Sequence, residues 1–177
     1  TLLAESFAAQ GYDTAAFIAA FVLDSRWGLD QGFDTYIDDF DVRGQRFISM
    51  GAVQRPAEEV IDAALEWLEG EGGSPFFLWV HLYDPHTPYA PPEPYRSEYA
   101  GKPYLGEIAY TDAQIGRLLE GLSGRGVSDD TFVVLAGDHG ESLGEHGEVQ
   151  HGFFIYEAAT HVPLIIAPPE DVRGPRD

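Results

Sequence analysis

An α/β fold, a mainly parallel sheet flanked by helices, is predicted by three observations. Apolar runs at 14–20, 76–82, 131–136 and 161–167 have the length and composition of strands. Between them, 57–69 and 105–122 carry apolar residues at helical spacing. Glycine and proline clusters punctuate the joins. Strands alternating with helices imply crossover connections, parallel pairing and a sheet covered on both sides.

The elements follow in order. Thr1 to Gly11 spaces its apolar residues as a helix does and closes on a glycine, the residue suited to a helix C-terminus. Thr14 to Ala20 then reads as a strand. The stretch 21–50 is irregular and acidic, and Asp38, Asp39 and Asp41 suggest a calcium loop. The EF-hand pattern begun at Asp39 fails at Arg43 and at Met50, so these acids are expected in a solvated loop. Pro56 suits a helix start, and Ala57 to Glu69 puts Val60, Ile61, Ala64, Leu65 and Leu68 on one face before the glycines at 70–73 end it.

Phe76 to Leu82 is a near-continuous apolar run, expected as a strand buried on both faces. Tyr83-Asp84-Pro85-His86-Thr87-Pro88-Tyr89 and the prolines through Pro94 cannot continue that strand and form a rigid loop at its carboxyl end. Leu105 to Leu122 is a second amphipathic helix, with Ile108, Ile115, Leu118, Leu119 and Leu122 expected to face the sheet. Thr131 to Ala136 and His161 to Ala167 complete the strands. Residues 1–177 read as part of one domain, a fragment cut at both ends, since the sequence starts inside a helix and stops just past a strand.

Composition narrows the function classes. A hydrophobic content of 44% with 13% aromatics is that of a chain with a core, not of a disordered tail. Thirty acids against ten bases give a formal charge of -20, which repels nucleic acid and anionic membranes. An anionic substrate would need metal and local His or Arg to reverse that field. No apolar run reaches the ~20 residues of a membrane span. With no cysteine, neither disulfides nor thiolate metal sites can form. Location is unassigned.

Chemistry concentrates at Asp138-His139-Gly140-Glu141, which follows the 131–136 strand and precedes Glu145-His146-Gly147-Glu148 and His151. An acid and an imidazole just past a strand sit where open α/β sheets place ligands. Carboxylate oxygen suits Ca, Mg or Mn, and an imidazole beside it favours Mn or Zn. The histidine spacing lacks the i, i+4 pair of helical zinc proteases. Asp138 and His139 are therefore metal ligands, or else a cap on a following helix. His86 leaves a second strand at the same sheet edge, and His146 and His151 return toward it. His81, inside an apolar run, is expected as a hydrogen-bonded core residue, and His161 as structural. Asp84 either fixes the His86 tautomer or initiates the turn. Glu145 and Glu148 are expected to be solvated, with Glu141 left open.

Together these residues resemble the sulfatase family of the alkaline phosphatase-like superfamily. Thr1 to Glu5 with Gly11 to Phe17, then Gly28 to Asp34, Phe76 to Pro88, Gly106 to Leu119 and Asp138 to His151, look like its successive blocks in order. The resemblance implies metal-dependent hydrolysis of sulfuric esters, on a small-molecule or glycan sulfate or phosphate ester. It implies a divalent cation, Ca in a sulfatase with Mn, Mg or Zn as alternatives, held by Asp138 and His139. His86 and His151 match the positions that contact the transferred group. The downstream metal pair is Asp-Asn in many calcium sulfatases and Asp-His in relatives acting on phosphoryl or phosphonyl groups. The family's nucleophile, formylglycine in sulfatases, has no counterpart in this sequence and is expected before Thr1, with a smaller domain beyond Asp177. The fragment alone is then expected to hold half a metal site and to be inactive. Two other readings stand beside the sulfatase: a phosphonate or phosphate ester hydrolase, or phosphoethanolamine or glycerophosphate transferase, of the same superfamily; and a non-catalytic remnant acting in binding.

Overall fold

The computed structural model describes residues 1–41, 53–70, 75–169 and 172. The chain divides into two compact units, Thr1–Leu119 and Glu120–Asp177.

The first unit opens with helix α1 (Leu3–Ala8), strand β1 (Asp13–Phe17) and strand β2 (Thr35–Ile37), then helix α2 (Ala57–Gly70) and strand β3 (Phe76–Val80). The three strands form a parallel sheet in the order β2-β1-β3, with Ala15 beside both Thr35 and Leu78. β1 is central and almost wholly buried, whereas β3 lies at the edge and stays half-buried along its length. That corrects the expectation of a β3 buried on both faces, because an edge strand has a neighbour on one side only. β2 was not foreseen: it is three residues long inside the acidic stretch, too short to show a period. Asp34, at its entry, holds it to β1 by accepting from both the N–H and the hydroxyl of buried Thr14 (3.0 and 2.9 Å).

Alternation along the strands sends successive side chains to opposite faces and so decides where the helices pack. Ala15 and Phe17 of β1 meet Val60 and Ala64 of α2, with Leu78 and Val80 of β3 against the same cluster. Phe77, of opposite parity, stacks on Phe7 of α1 (4.7 Å) and near Phe33 (5.8 Å). α1 and α2 therefore cover opposite faces of the sheet. Burying Phe17, 1% exposed, contributes about 1.5–3 kcal/mol. Gly32 is needed twice over: its φ is +88°, and a Cβ there would stand 2.5 Å from the Glu5 nitrogen.

Past β3 come the one-turn helix α3 (Tyr95–Glu98) and the long helix α4 (Pro103–Gly124), which crosses from the first unit into the second. The buried residues of α4 are Gly106, Glu107, Tyr110, Gln114 and Leu122, while Ile108 and Leu119 are exposed. The expected apolar face is thus corrected at both those positions. α4 turns a polar row inward because backbone N–H groups of other elements need acceptors there.

In the second unit, strands β4 (Val133–Ala136) and β5 (Leu164–Ala167) pair antiparallel, Val133 opposite Ala167 and Ala136 opposite Leu164. Parallel pairing was expected. Between them lie a 3-10 turn (Glu145–Gly147) and the one-turn helix α5 (Glu157–Thr160), and the 137–163 segment folds back to the end of β4 that it left, so β5 runs the other way. Asp38, half-buried, accepts from the Ser25 N–H and is not merely solvated. Arg43 and Met50, which ended the calcium-loop pattern, lie outside the described residues. Among the described residues no helix is long and apolar enough to cross a membrane.

Candidate functional site

The second unit gathers most of the expected residues just past β4. Gly137 donates its N–H to Pro163 O (3.1 Å), prolonging the ladder by one residue and delivering Asp138 and His139 to the strand's carboxyl end. No helix starts there, so Asp138 is not a helix cap; its Oδ1 accepts from the adjacent His139 N–H (2.9 Å) and its side chain is 86% exposed. His139 Nδ1 lies 2.8 Å from Gly140 O. A carbonyl only accepts, so Nδ1 carries a proton and Nε2 is the lone-pair atom of the neutral ring. That Nε2 is 3.9 Å from Asp138 Oδ1. Ligand bonds of about 2.0–2.2 Å let one cation reach both atoms across such a gap, so the pair fits half of a metal site. Among the described residues no three His, Asp or Glu side chains gather as a complete cation site.

Close packing fixes the next residue. A Cβ on Gly140 would overlap the Ala158 carbonyl oxygen and stand 3.2 Å from His161 O, while the Gly140 N–H donates to Ala159 O (2.8 Å). The loop therefore lies directly on the end of α5. Glu141, whose role the sequence left open, is buried with a 5% exposed side chain and accepts from three donors: the His151 N–H (2.6 Å), His151 Nδ1–H (3.1 Å) and the Ser142 N–H (3.1 Å). It orients the imidazole, and the His151 ring lies 4.0 Å from that of His139. Asp138, His139, Glu141 and His151 thus form one group.

Glu145 lies at the surface as expected, whereas Glu148, His146 and His161 are placed otherwise. Glu148 is buried, 7% exposed, and its Oε1 accepts from the Phe154 N–H (3.1 Å), because the loop turns its carboxylate inward to close on itself. Glu145 stays at the surface, where the Leu143 N–H (2.7 Å) holds its carboxyl below the ordinary range. His146 does not join His139: at φ +56° its ring stacks on Tyr156 (4.0 Å). His161 ends α5 instead of opening β5, and its exposed ring pairs with Glu157 (3.4 Å).

His86 belongs to the first unit. Its N–H donates to Tyr83 O (3.0 Å), making a turn just past β3, and its ring stacks on Tyr83 at 4.3 Å and 15°. Nδ1–H donates to Thr87 O (2.7 Å). His81 binds the sheet through its main chain, donating to Phe17 O (2.9 Å), with its ring flanked by Trp79 and Tyr83. Asp84 meets neither expected role in full. It sits in the turn, but its buried carboxylate accepts from the Ala57 N–H (3.1 Å) at the start of α2. Burial pushes its carboxyl up, and does the same for Glu107 and Tyr110 on α4. Glu107 escaped the sequence reading; an acid one turn from Tyr110 on a helix's inner row was the available signal.

The sulfatase family model matches residues 1–175. Human iduronate 2-sulfatase is 41% identical over 66 residues, which is 37% of this chain and 12% of that protein. The phosphonate monoester hydrolase of Agrobacterium radiobacter has the same fold (TM-score 0.72, 20% identity, 96% of this chain and 53% of that one). So does BT4656, solved with its substrate D-glucosamine-2-N,6-O-disulfate (TM-score 0.71, 21% identity, 96% and 56%). The chain spans about half the length of these two solved chains, and its match to iduronate 2-sulfatase covers about an eighth of that protein. With the family match running almost from end to end over an α/β fold whose blocks follow in the same order, this chain belongs to the sulfatase family.

Proposed function

We propose that the chain forms the downstream half of the active site of a metal-dependent sulfuric-ester hydrolase. The observation that carries this is the group past β4: Asp138 Oδ1 and His139 Nε2, 3.9 Å apart, beside a second imidazole gripped by an acid with a buried side chain. Asp138 Oδ1 and His139 Nε2 would hold the cation. When bound, a divalent cation supplies Lewis-acid polarisation of the ester oxygens. The Nδ1–H of His151 is committed to Glu141, so a proton given to an ester oxygen would leave from Nε2. His86, with Nδ1–H on Thr87 O, likewise presents Nε2. By family resemblance each imidazole would address the transferred group, in a chain whose net charge of -20 otherwise repels an anion. In this reading the substrate is a small-molecule or glycan sulfate.

A phosphonate or phosphate ester hydrolase is the second reading, favoured by the imidazole of His139 where many calcium sulfatases carry an amide. Aryl sulfate and aryl phosphonate esters assayed with the intact enzyme separate the two: phosphonate cleavage without sulfate cleavage would overturn the sulfatase reading. Asp138→Ala and His139→Ala should lower bound metal, read by elemental analysis, together with turnover. Unchanged metal content and rate would remove both from the ligand set.

A further inference from the structure

The loop that carries His86 is poor in main-chain donors. Pro85, Pro88, Pro91, Pro92 and Pro94 have no N–H to give, so few main-chain bonds are available between Tyr83 and Tyr95. Two buried carboxylates take over. Asp84, 8% exposed and two residues before His86, fastens the loop to α2 through the Ala57 N–H (3.1 Å). Glu107, 5% exposed, reaches from α4 to the loop on the other side of His86, accepting from the Ala90 N–H (2.7 Å).

The frame closes on itself. Tyr110, one turn along α4 from Glu107, accepts from the Glu58 N–H (3.0 Å), so α4 is tied to the same first turn of α2 that Asp84 holds. Gly106 brings the α4 backbone against Pro91, where a Cβ would come within 2.8 Å of the ring. Between the two anchors, the turn to Tyr83 and the 4.3 Å ring stack set the imidazole's plane.

We propose that Asp84 and Glu107 are positioning residues for His86, fixing the loop at both ends so that the imidazole meets the ester at one place. This rests on the reading that His86 addresses the transferred group. Neither acid is a catalytic residue: each acts through the main chain of the His86 loop. A displacement of about 1 Å at a reacting group costs on the order of a hundredfold in rate. Loss of either anchor should therefore lower kcat roughly 10- to 100-fold, with KM within about threefold.

The test uses the intact enzyme with Asp84→Ala, Glu107→Ala and the acceptor-keeping Asp84→Asn and Glu107→Gln, each also combined with His86→Ala. The alanine variants should lower kcat on an aryl sulfate and speed amide hydrogen exchange across 83–90, and the amide variants should restore both. In the His86→Ala background the alanine changes should cost little further rate, as expected of residues acting through that ring. Equal rate losses with and without His86, or unchanged exchange across 83–90, would overturn the proposal. Should Asp84→Ala fail to fold, Glu107→Ala, at the opposite anchor, carries the test. If the wild-type enzyme cleaves neither sulfate nor phosphonate ester, the hydrolase reading falls, and exchange with the His86 ring resonances alone decides whether the two acids fix the loop.

Discussion

Replacing Glu141 by alanine removes one carboxylate oxygen that serves three N–H donors, two of them on His151. The carboxylate's side chain is 5% exposed, so water does not readily substitute for it. Hydrogen bonds to charged groups are worth about 1.5–3 kcal/mol each, but three on one oxygen share a single charge and do not add. Counting one charged bond as lost and about 1–3 kcal/mol for donors left unsatisfied, the second unit should lose roughly 2.5–6 kcal/mol. Glu141→Gln keeps an acceptor oxygen and should lose about half as much. Urea unfolding of the intact protein with site-resolved hydrogen exchange reads the cost, and the largest increase in exchange should fall at the His151 amide. A ring 15N spectrum should show the His151 tautomers mixing in Glu141→Ala and not in the parent. If the His151 amide exchanges at its former rate, the bond geometry described here does not hold that histidine, and the assignment of Glu141 as its support is refuted.

Three further outcomes follow from packing and charge. Tyr36 donates to Leu23 O (2.7 Å), and burial, followed by Asp38, Asp30 and Asp24, pushes its phenol up to about 12 from 10.0. The folded state keeps that proton longer, so its stabilisation is complete below pH 10.0 and is lost as pH rises toward about 12; tyrosinate absorbance should show a late step that Tyr36→Phe removes. Burial likewise raises the Glu107 carboxyl above 4.5, so its contribution is favourable at acid pH and lost as pH rises through the folded value. Glu107→Gln should accordingly gain stability over the parent at neutral pH, the gap shrinking as the pH approaches 4.5 in denaturation curves. Gly140→Ala drives a methyl into the Ala158 carbonyl and should cost about 1–3 kcal/mol in unfolding experiments, with faster exchange across 157–161; an unchanged midpoint would mean α5 does not press on Gly140.

What the sequence revealed depended on how local each feature is. β1, α2 and β3 were legible because their patterns are complete within a few turns, and Val60, Ile61, Ala64 and Leu68 are buried as their spacing requires. β2 was not, since three residues show no alternation. The direction of β5 depends on where a long loop returns, which no residue in Leu164–Ala167 encodes. The inner face of α4 was legible at Leu118 and Leu122 but not at Ile108 and Leu119, because apolar spacing cannot register the needs of distant N–H groups, here those of Glu58 and Ala90. For the site, Asp138 and His139 stood out by their place after a strand. The contact of His139 with His151, and the inward turn of Glu141 and Glu148, required the loop's path in space.

The antiparallel closure of β4 and β5 bears on how this region can change. The segment from Gly137 to Pro163 enters and leaves at adjacent rungs of one ladder, joined by the Gly137 N–H to Pro163 O bond. A stretch whose ends are neighbours can be lengthened, shortened or exchanged at small loop-closure cost, while the strands that carry it keep their register. The pair β4–β5 is in that sense a socket and the residues between its strands an exchangeable insert. New specificities can be tried by varying the rest of the insert between Ala136 and Leu164 while Asp138, His139, Glu141 and His151 are kept, without redesigning the strands.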